Sequence, residues 1–250
     1  LYAKTVTLGK THWPETNRVM LRNRRIGTSM SGIAQFVTNN GLNTLKLWCE
    51  EGYDELTKWD KMYSDWLAVP RSIKLSSIKP SGTVSLLVGA TPGMHYPERR
   101  FYIRRMRLSK QSELIEPLKK ANYHLEPAFG SEDSTMVVEV PVDVGEGIRT
   151  VGDLSIWEQF NLAAFLQRHW ADNQVSCTAT FNPETESAEL PQVLNYFQYR
   201  LKGISLLPRH ELGAYRQMPY EAIDEKTYNK MVKKLGKLSF VGIEGEEADV

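Results

Sequence analysis

Between Ser76 and Arg105 the sequence reads SSIKPSGTVSLLVGATPGMHYPERRFYIRR, and it gathers groups suited to a polar, phosphorylated ligand. A basic residue, Lys79, leads into the turn Pro80-Ser81-Gly82-Thr83 and the run Val84-Ser85. Such a turn offers backbone N–H groups to an anion, and a helix opening there would add its dipole. Gly82 lets a ligand approach the backbone, while Ser81, Thr83 and Ser85 carry hydroxyl donors. A second turn follows at Thr91-Pro92-Gly93-Met94-His95. His95 is the one histidine of five placed beside the anion candidate; the others (His12, His124, His169, His210) are scattered without metal-like pairing.

Other chemistries find less support. The stretch does not fit G-x-x-x-x-G-K-[ST], and neither a G-x-S-x-G elbow nor a G-x-G-x-x-G fingerprint occurs. Cys49 and Cys177 stand far apart without a Cys-x-x-Cys or Cys/His cluster, so neither a disulfide scaffold nor a metal centre is expected. Both read as small buried residues, Cys49 on a helical stripe and Cys177 on a strand. A net charge of +1 gives no electrostatic case for nucleic acid, and no apolar run approaches the ~20 residues of a membrane span. The opening residues lack the apolar core of a secretory signal and the chain does not start with Met, so it is read as a cytoplasmic segment of a longer protein.

The elements that must position the turns alternate in type. Leu1 to Leu8 fits strand or helix, and Pro14 opens a helix through Arg24. Small residues from Asn23 to Gly32 lead into a helix near Ile33 to Val37, and Leu45, Trp48, Cys49, Leu56, Trp59, Met62, Tyr63 and Trp66 mark a helix over 44–69. Strands are expected at 73–78, 101–108, 135–140, 173–181 and 204–207. Val84 to Gly89 fits a helix start or a second strand. Helices are expected at 113–121 (capped by Ser112), 156–170 (capped by Ser155), 192–201 and 225–235. Strand–helix–strand order of this kind predicts an α/β fold with a largely parallel sheet or barrel.

Several motifs, in order, carry a resemblance. Asn23-Arg24-Arg25-Ile26-Gly27-Thr28-Ser29-Met30-Ser31-Gly32, Lys79 to Leu87, Thr91 to His95, Tyr102-Ile103-Arg104-Arg105, Trp170 to Ser176 and Gly213 to Pro219 resemble the ribonucleotide reductase large chain. The likeness is to its adenosylcobalamin-dependent, monomeric, triphosphate-reducing type. The resemblance implies the C-terminal half of a ten-stranded α/β barrel over residues 1–212. Residues 213–250 would form a helix and acidic linker leading to a redox tail. It implies that Pro80, Ser81, Gly82, Thr83, Val84 and Ser85 hold the substrate phosphates, with Thr91, Gly93 and His95 near the same cavity. It also implies adenosylcobalamin as cofactor, thioredoxin or a similar dithiol as reductant, and a deoxynucleotide effector bound outside this segment.

In that family a cysteine thiyl radical abstracts the ribose 3′-hydrogen and a cysteine pair supplies electrons. The family's Asn-x-Cys-x-Glu motif and paired tail cysteines are not in this chain, and Cys49 and Cys177 match neither. No catalytic residue is therefore assigned here, and the isolated segment is expected to be inactive. Two other readings stay open: a non-catalytic α/β module that binds a phosphorylated ligand, and a diphosphate-type reductase.

Overall fold

A computed structural model describes residues 1–82, 84–209 and 216–239. The chain divides into two compact units, Leu1–Pro97 with Gly147–Arg209, and Glu98–Glu146 with the segment that follows Arg209. The expected boundary at residue 212 falls outside the described residues.

The first unit is built on helices around a strip of parallel backbone. Helices α1 (Tyr2–Val6) and α2 (Pro14–Asn23) precede α3 (Ile33–Trp66). Within α3, Gly41 adopts φ 78° and ψ 164°, so two helical runs meet at a break. Only glycine takes that conformation at little cost, and this explains why the apolar periodicity restarts near Thr44. α5 (Ile156–His169) begins where expected: the Ser155 hydroxyl accepts from the Glu158 N–H, and the Glu158 carboxylate accepts from the Ser155 N–H. That reciprocal cap satisfies two backbone donors that would otherwise lack partners. Ile156, Phe160 and Val193 pack with Ala179, Phe181 and Phe197 in one core cluster, joining α5 to α6 (Leu190–Phe197) and strand β4 (Thr178–Phe181).

Four extended segments lie side by side in sequence order. Thr28 bridges Ser76 in parallel, Ile78 bridges Val175, and β4 pairs in parallel with β5 (Ser205–Pro208). The backbone bonds Ile26 N to Lys74 O (3.0 Å), Ser77 N to Thr28 O (3.0 Å) and Ser176 N to Ile78 O (2.9 Å) join them. The strand expected at 73–78 is thus reduced to isolated bridges, and that at 173–181 to its last four residues. Around them, side chains rather than a continuous ladder take up the backbone polar groups. Asn173 Nδ2 donates to both Ile26 O and Ser76 O at 2.8 Å.

The second unit corrects the expectation of a largely parallel sheet. Its sheet has four antiparallel strands in the order β2–β3–β1–β6: β1 is Phe101–Ser109, β2 His124–Pro127, β3 Thr135–Asp143 and β6 Tyr220–Ala222. β2 and β6 were not expected. α4 (Ile115–Lys120) links β1 to β2, and in α7 (Glu225–Val232) Tyr228 sets its ring 4.9 Å from that of Phe101. Helices and sheets together make an α/β protein. The described residues contain no closed sheet, and none of their helices is long and apolar enough to cross a membrane.

Candidate functional site

The two turns singled out above both lie in the first unit, at the end of the 75–78 segment. That segment is fixed by the run Trp170–Gln174. The Trp170 indole N–H donates to Ser77 O at 3.0 Å, and Asp172 N donates to the buried Ser76 hydroxyl at 3.0 Å. Ser77 Oγ donates to Gln174 O at 3.0 Å. With the bridge from Thr28, two of the matched stretches, 23–32 and 170–176, converge on the segment that leads into a third.

Beyond it the chain turns. Lys79 and Pro80 are exposed, Ser81 and Gly82 half-buried, Val84 exposed and Ser85 buried; Thr83 lies outside the described residues. Ser81 takes φ +50°, a left-handed conformation that serine rarely adopts and that strains the backbone. The turn is closed from within: Ser85 donates to Ser81 O through its N–H at 3.1 Å and its hydroxyl at 2.6 Å. The Ser85 hydroxyl proton is therefore spent on bracing the turn. A 3-10 helix, Val84–Val88, follows instead of an α-helix or strand. Five residues build only a small dipole, so the helix adds little positive potential at the turn.

The second turn packs against the first. Gly93 has φ +53°, and a Cβ there would lie 2.3 Å from Lys79 O, so only glycine permits the approach. The stretch 29–35 holds both turns from below. Ser29 Oγ accepts from Lys79 N at 2.8 Å, Gly32 N donates to Thr91 O at 2.8 Å, and Gln35 accepts from Thr91 N at 2.9 Å. The Thr91 hydroxyl is buried and has no hydrogen-bond partner among the described residues. His95 accepts from Thr178 N at Nε2 (3.2 Å), and its Nδ1 lies 3.1 Å from Pro92 O. These partners define the neutral Nδ1–H tautomer. Burial lowers the pKa of His95 below the ordinary histidine value against the opposing Pro92 hydrogen bond. His95 thus ties its turn to β4 through both ring nitrogens.

The structure brings Pro80, Ser81, Gly82, Val84, Ser85, Thr91, Gly93 and His95 into one neighbourhood. Ser29, Gln35 and Asn173 join them without having been singled out, although Ser29 and Asn173 sit inside stretches that carried the resemblance. Gln35 gave no motif signal, because a glutamine near a helix start reads as an ordinary first-turn residue. A cavity of about 400 Å³ elsewhere in the unit, lined by Tyr53, Lys61, Arg71 and Asp172 among others, shares no residue with the turns. Neither thiol suits thiolate chemistry at neutral pH. Cys49 and Cys177 are buried, and burial pushes each pKa up to about 11.

No protein-family model matches the chain. Individual relatives do. An adenosylcobalamin-dependent ribonucleoside-triphosphate reductase of Euglena gracilis is 59% identical over 235 residues, 94% of this chain and 32% of that protein. Over that third, the chain is a homologue of these reductases. The adenosylcobalamin-dependent ribonucleoside-triphosphate reductase of Levilactobacillus brevis is 34% identical over 263 residues, covering 94% of this chain and 35% of the relative. The crystal structure of a B-12 dependent (class II) ribonucleotide reductase superposes with a TM-score of 0.82 at 34% identity, over 94% of this chain and 36% of that one. The chain therefore spans about a third of the length of the reductases it matches.

Proposed function

We propose that this chain is the C-terminal half-barrel portion of an adenosylcobalamin-dependent ribonucleoside-triphosphate reductase, and that Pro80 to Ser85 receives the substrate phosphates. The observation that carries the reading is 59% identity, across nearly the whole chain, to a reductase of that description. The parallel strip formed by segments near residues 26–28, 75–78, 175–181 and 205–208 supports one half of a barrel. A strand end followed by a glycine-containing, internally braced turn supports the phosphate role, because such a turn presents backbone donors with little reorganisation.

In this reading the chain's own task is to bind and orient. Gly82 gives a phosphate access to the backbone, and Ser81 and Lys79 add a hydroxyl and a positive charge. Thr91, Gly93 and His95 support the cavity wall, with His95 neutral and engaged. Adenosylcobalamin would supply radical initiation, and thioredoxin or a similar dithiol the electrons. Cys49 and Cys177 match neither the radical nor the reducing cysteines of that family, their burial disfavours thiolate exchange, and no residue of this chain is assigned to the cofactor. Those groups, the effector site and the redox tail are placed on other parts of a cytoplasmic, monomeric protein, to which residues 213–250 would lead.

The test is product analysis in the full-length protein that carries this segment. Ribonucleoside triphosphate should be converted to the 2′-deoxy product only when adenosylcobalamin and a dithiol are both present. Conversion that is independent of adenosylcobalamin would refute the reading.

A further inference from the structure

The limb between the two turns is exposed at Val84 and Val88 and buried at Ser85. Val84 and Val88 are 67% and 79% exposed, and Gly89 sits at φ +64° with open space where a Cβ would lie. Hydrogen bonds anchor its two ends. At the near end, Lys79 N donates to Ser29 Oγ. At the far end one side chain does both jobs: Gln35 Oε1 accepts from Thr91 N at 2.9 Å while its Nε2 donates to Gly89 O at 3.0 Å. Gln35 lies in the first turn of α3, three residues after Gly32, which has no side chain to cap the helix. A glutamine at that position commonly reaches back to the N-cap backbone N–H; here its carboxamide grips the turn segment.

We propose that Gln35 is a positioning residue for the phosphate turn: its carboxamide fork fixes Gly89–Thr91 and thereby the placement of Pro80 to Ser85. The inference rests on the phosphate-binding reading of that turn. A carboxamide suits the task because it sets a donor NH2 and an acceptor oxygen in one fixed plane, matching a carbonyl and an N–H two residues apart. Loss of the fork leaves α3 intact but frees the exposed limb, and small misplacements of binding groups weaken binding well beyond the bonds removed.

The experiment uses the full-length protein with the substitutions Gln35→Met, Gln35→Glu and, as a probe of the turn itself, Ser81→Asp. Gln35→Met keeps the length and removes the bonds to Gly89 O and Thr91 N. It should raise the KM for ribonucleoside triphosphate roughly tenfold while kcat changes by less than about threefold, and it should speed amide hydrogen exchange at Thr91. Gln35→Glu retains the acceptor for Thr91 N but sets a carboxylate against Gly89 O, so its KM should rise as well; it carries the test if Gln35→Met does not fold. If Ser81→Asp raises KM while the Gln35 variants leave it unchanged, Gln35 is merely structural and the inference is overturned. If Ser81→Asp also leaves KM unchanged, the phosphate reading of the turn fails, and the inference falls with it.

Discussion

Two side chains at the site show how little of their chemistry is free. His95 uses one ring nitrogen on Pro92 O and the other on Thr178 N, and burial holds its pKa below the usual value. The unfolded chain then binds a proton that the folded one resists, between the folded pKa and ~6.5. Stability must rise with pH through that window and fall on acidification. Thermal melts from pH 5 to 8 should show a shallower acid slope in His95→Asn than in the parent; equal slopes would exclude His95 as the source. Ser81 behaves differently, since its left-handed backbone tolerates Asp as well as Ser. Ser81→Asp should therefore fold, yet place a carboxylate where phosphate is expected and raise the triphosphate KM by about tenfold or more. That the chain turns after Ile78 was legible in residue types alone. The spent hydroxyl of Ser85 was not, because its partner is a carbonyl oxygen that sequence does not distinguish from any other.

At the scale of elements, the first unit is tied together by a buried cation far from the turns. Lys4 of α1 is 2% exposed and donates to Asp60 Oδ1 at 2.8 Å, Pro70 O at 3.1 Å and Ser72 Oγ at 3.0 Å. Burial alone would raise the Asp60 pKa, but hydrogen bonds from Lys4 and Ser72 outweigh it and hold the carboxylate low. Removing one partner leaves the other charge buried and unpaired, so Asp60→Ala should cost about 3–5 kcal/mol in chemical denaturation. Lys4→Met with Asp60→Leu together should recover much of that loss, and an equally unstable double variant would show that the pair is not the cause. α1 had been legible only as strand or helix, because five residues carry too little periodicity. The capped helix α5 was legible nearly to the residue, since Ser155 and Glu158 signal its start locally. β6 escaped notice because a three-residue strand is defined by its partner β1 and not by its own alternation.

For the whole molecule, the α/β class followed from the order of elements, while the antiparallel second sheet did not: hydrophobic pattern marks a strand without giving its neighbour's direction. Nor did local pattern show that the first unit resumes at Gly147 after the second begins at Glu98, since that return depends on long-range contacts. The division of labour proposed above leads to a last expectation. The chain matches about a third of its reductase relatives and contains two thiols, both buried with pKa values pushed up to about 11. At pH 7.5 such thiols are almost wholly protonated and shielded, so native protein should resist iodoacetamide at both positions and react at both once denatured. Without an accessible thiol, the isolated 250 residues have no cysteine placed to exchange with a dithiol. Incubated with ribonucleoside triphosphate, adenosylcobalamin and reduced thioredoxin, they should form no deoxynucleotide, whereas the full-length protein should. Turnover by the isolated chain would place reductive chemistry on this segment after all, and rapid alkylation of either cysteine in the folded state would show that thiol to be accessible.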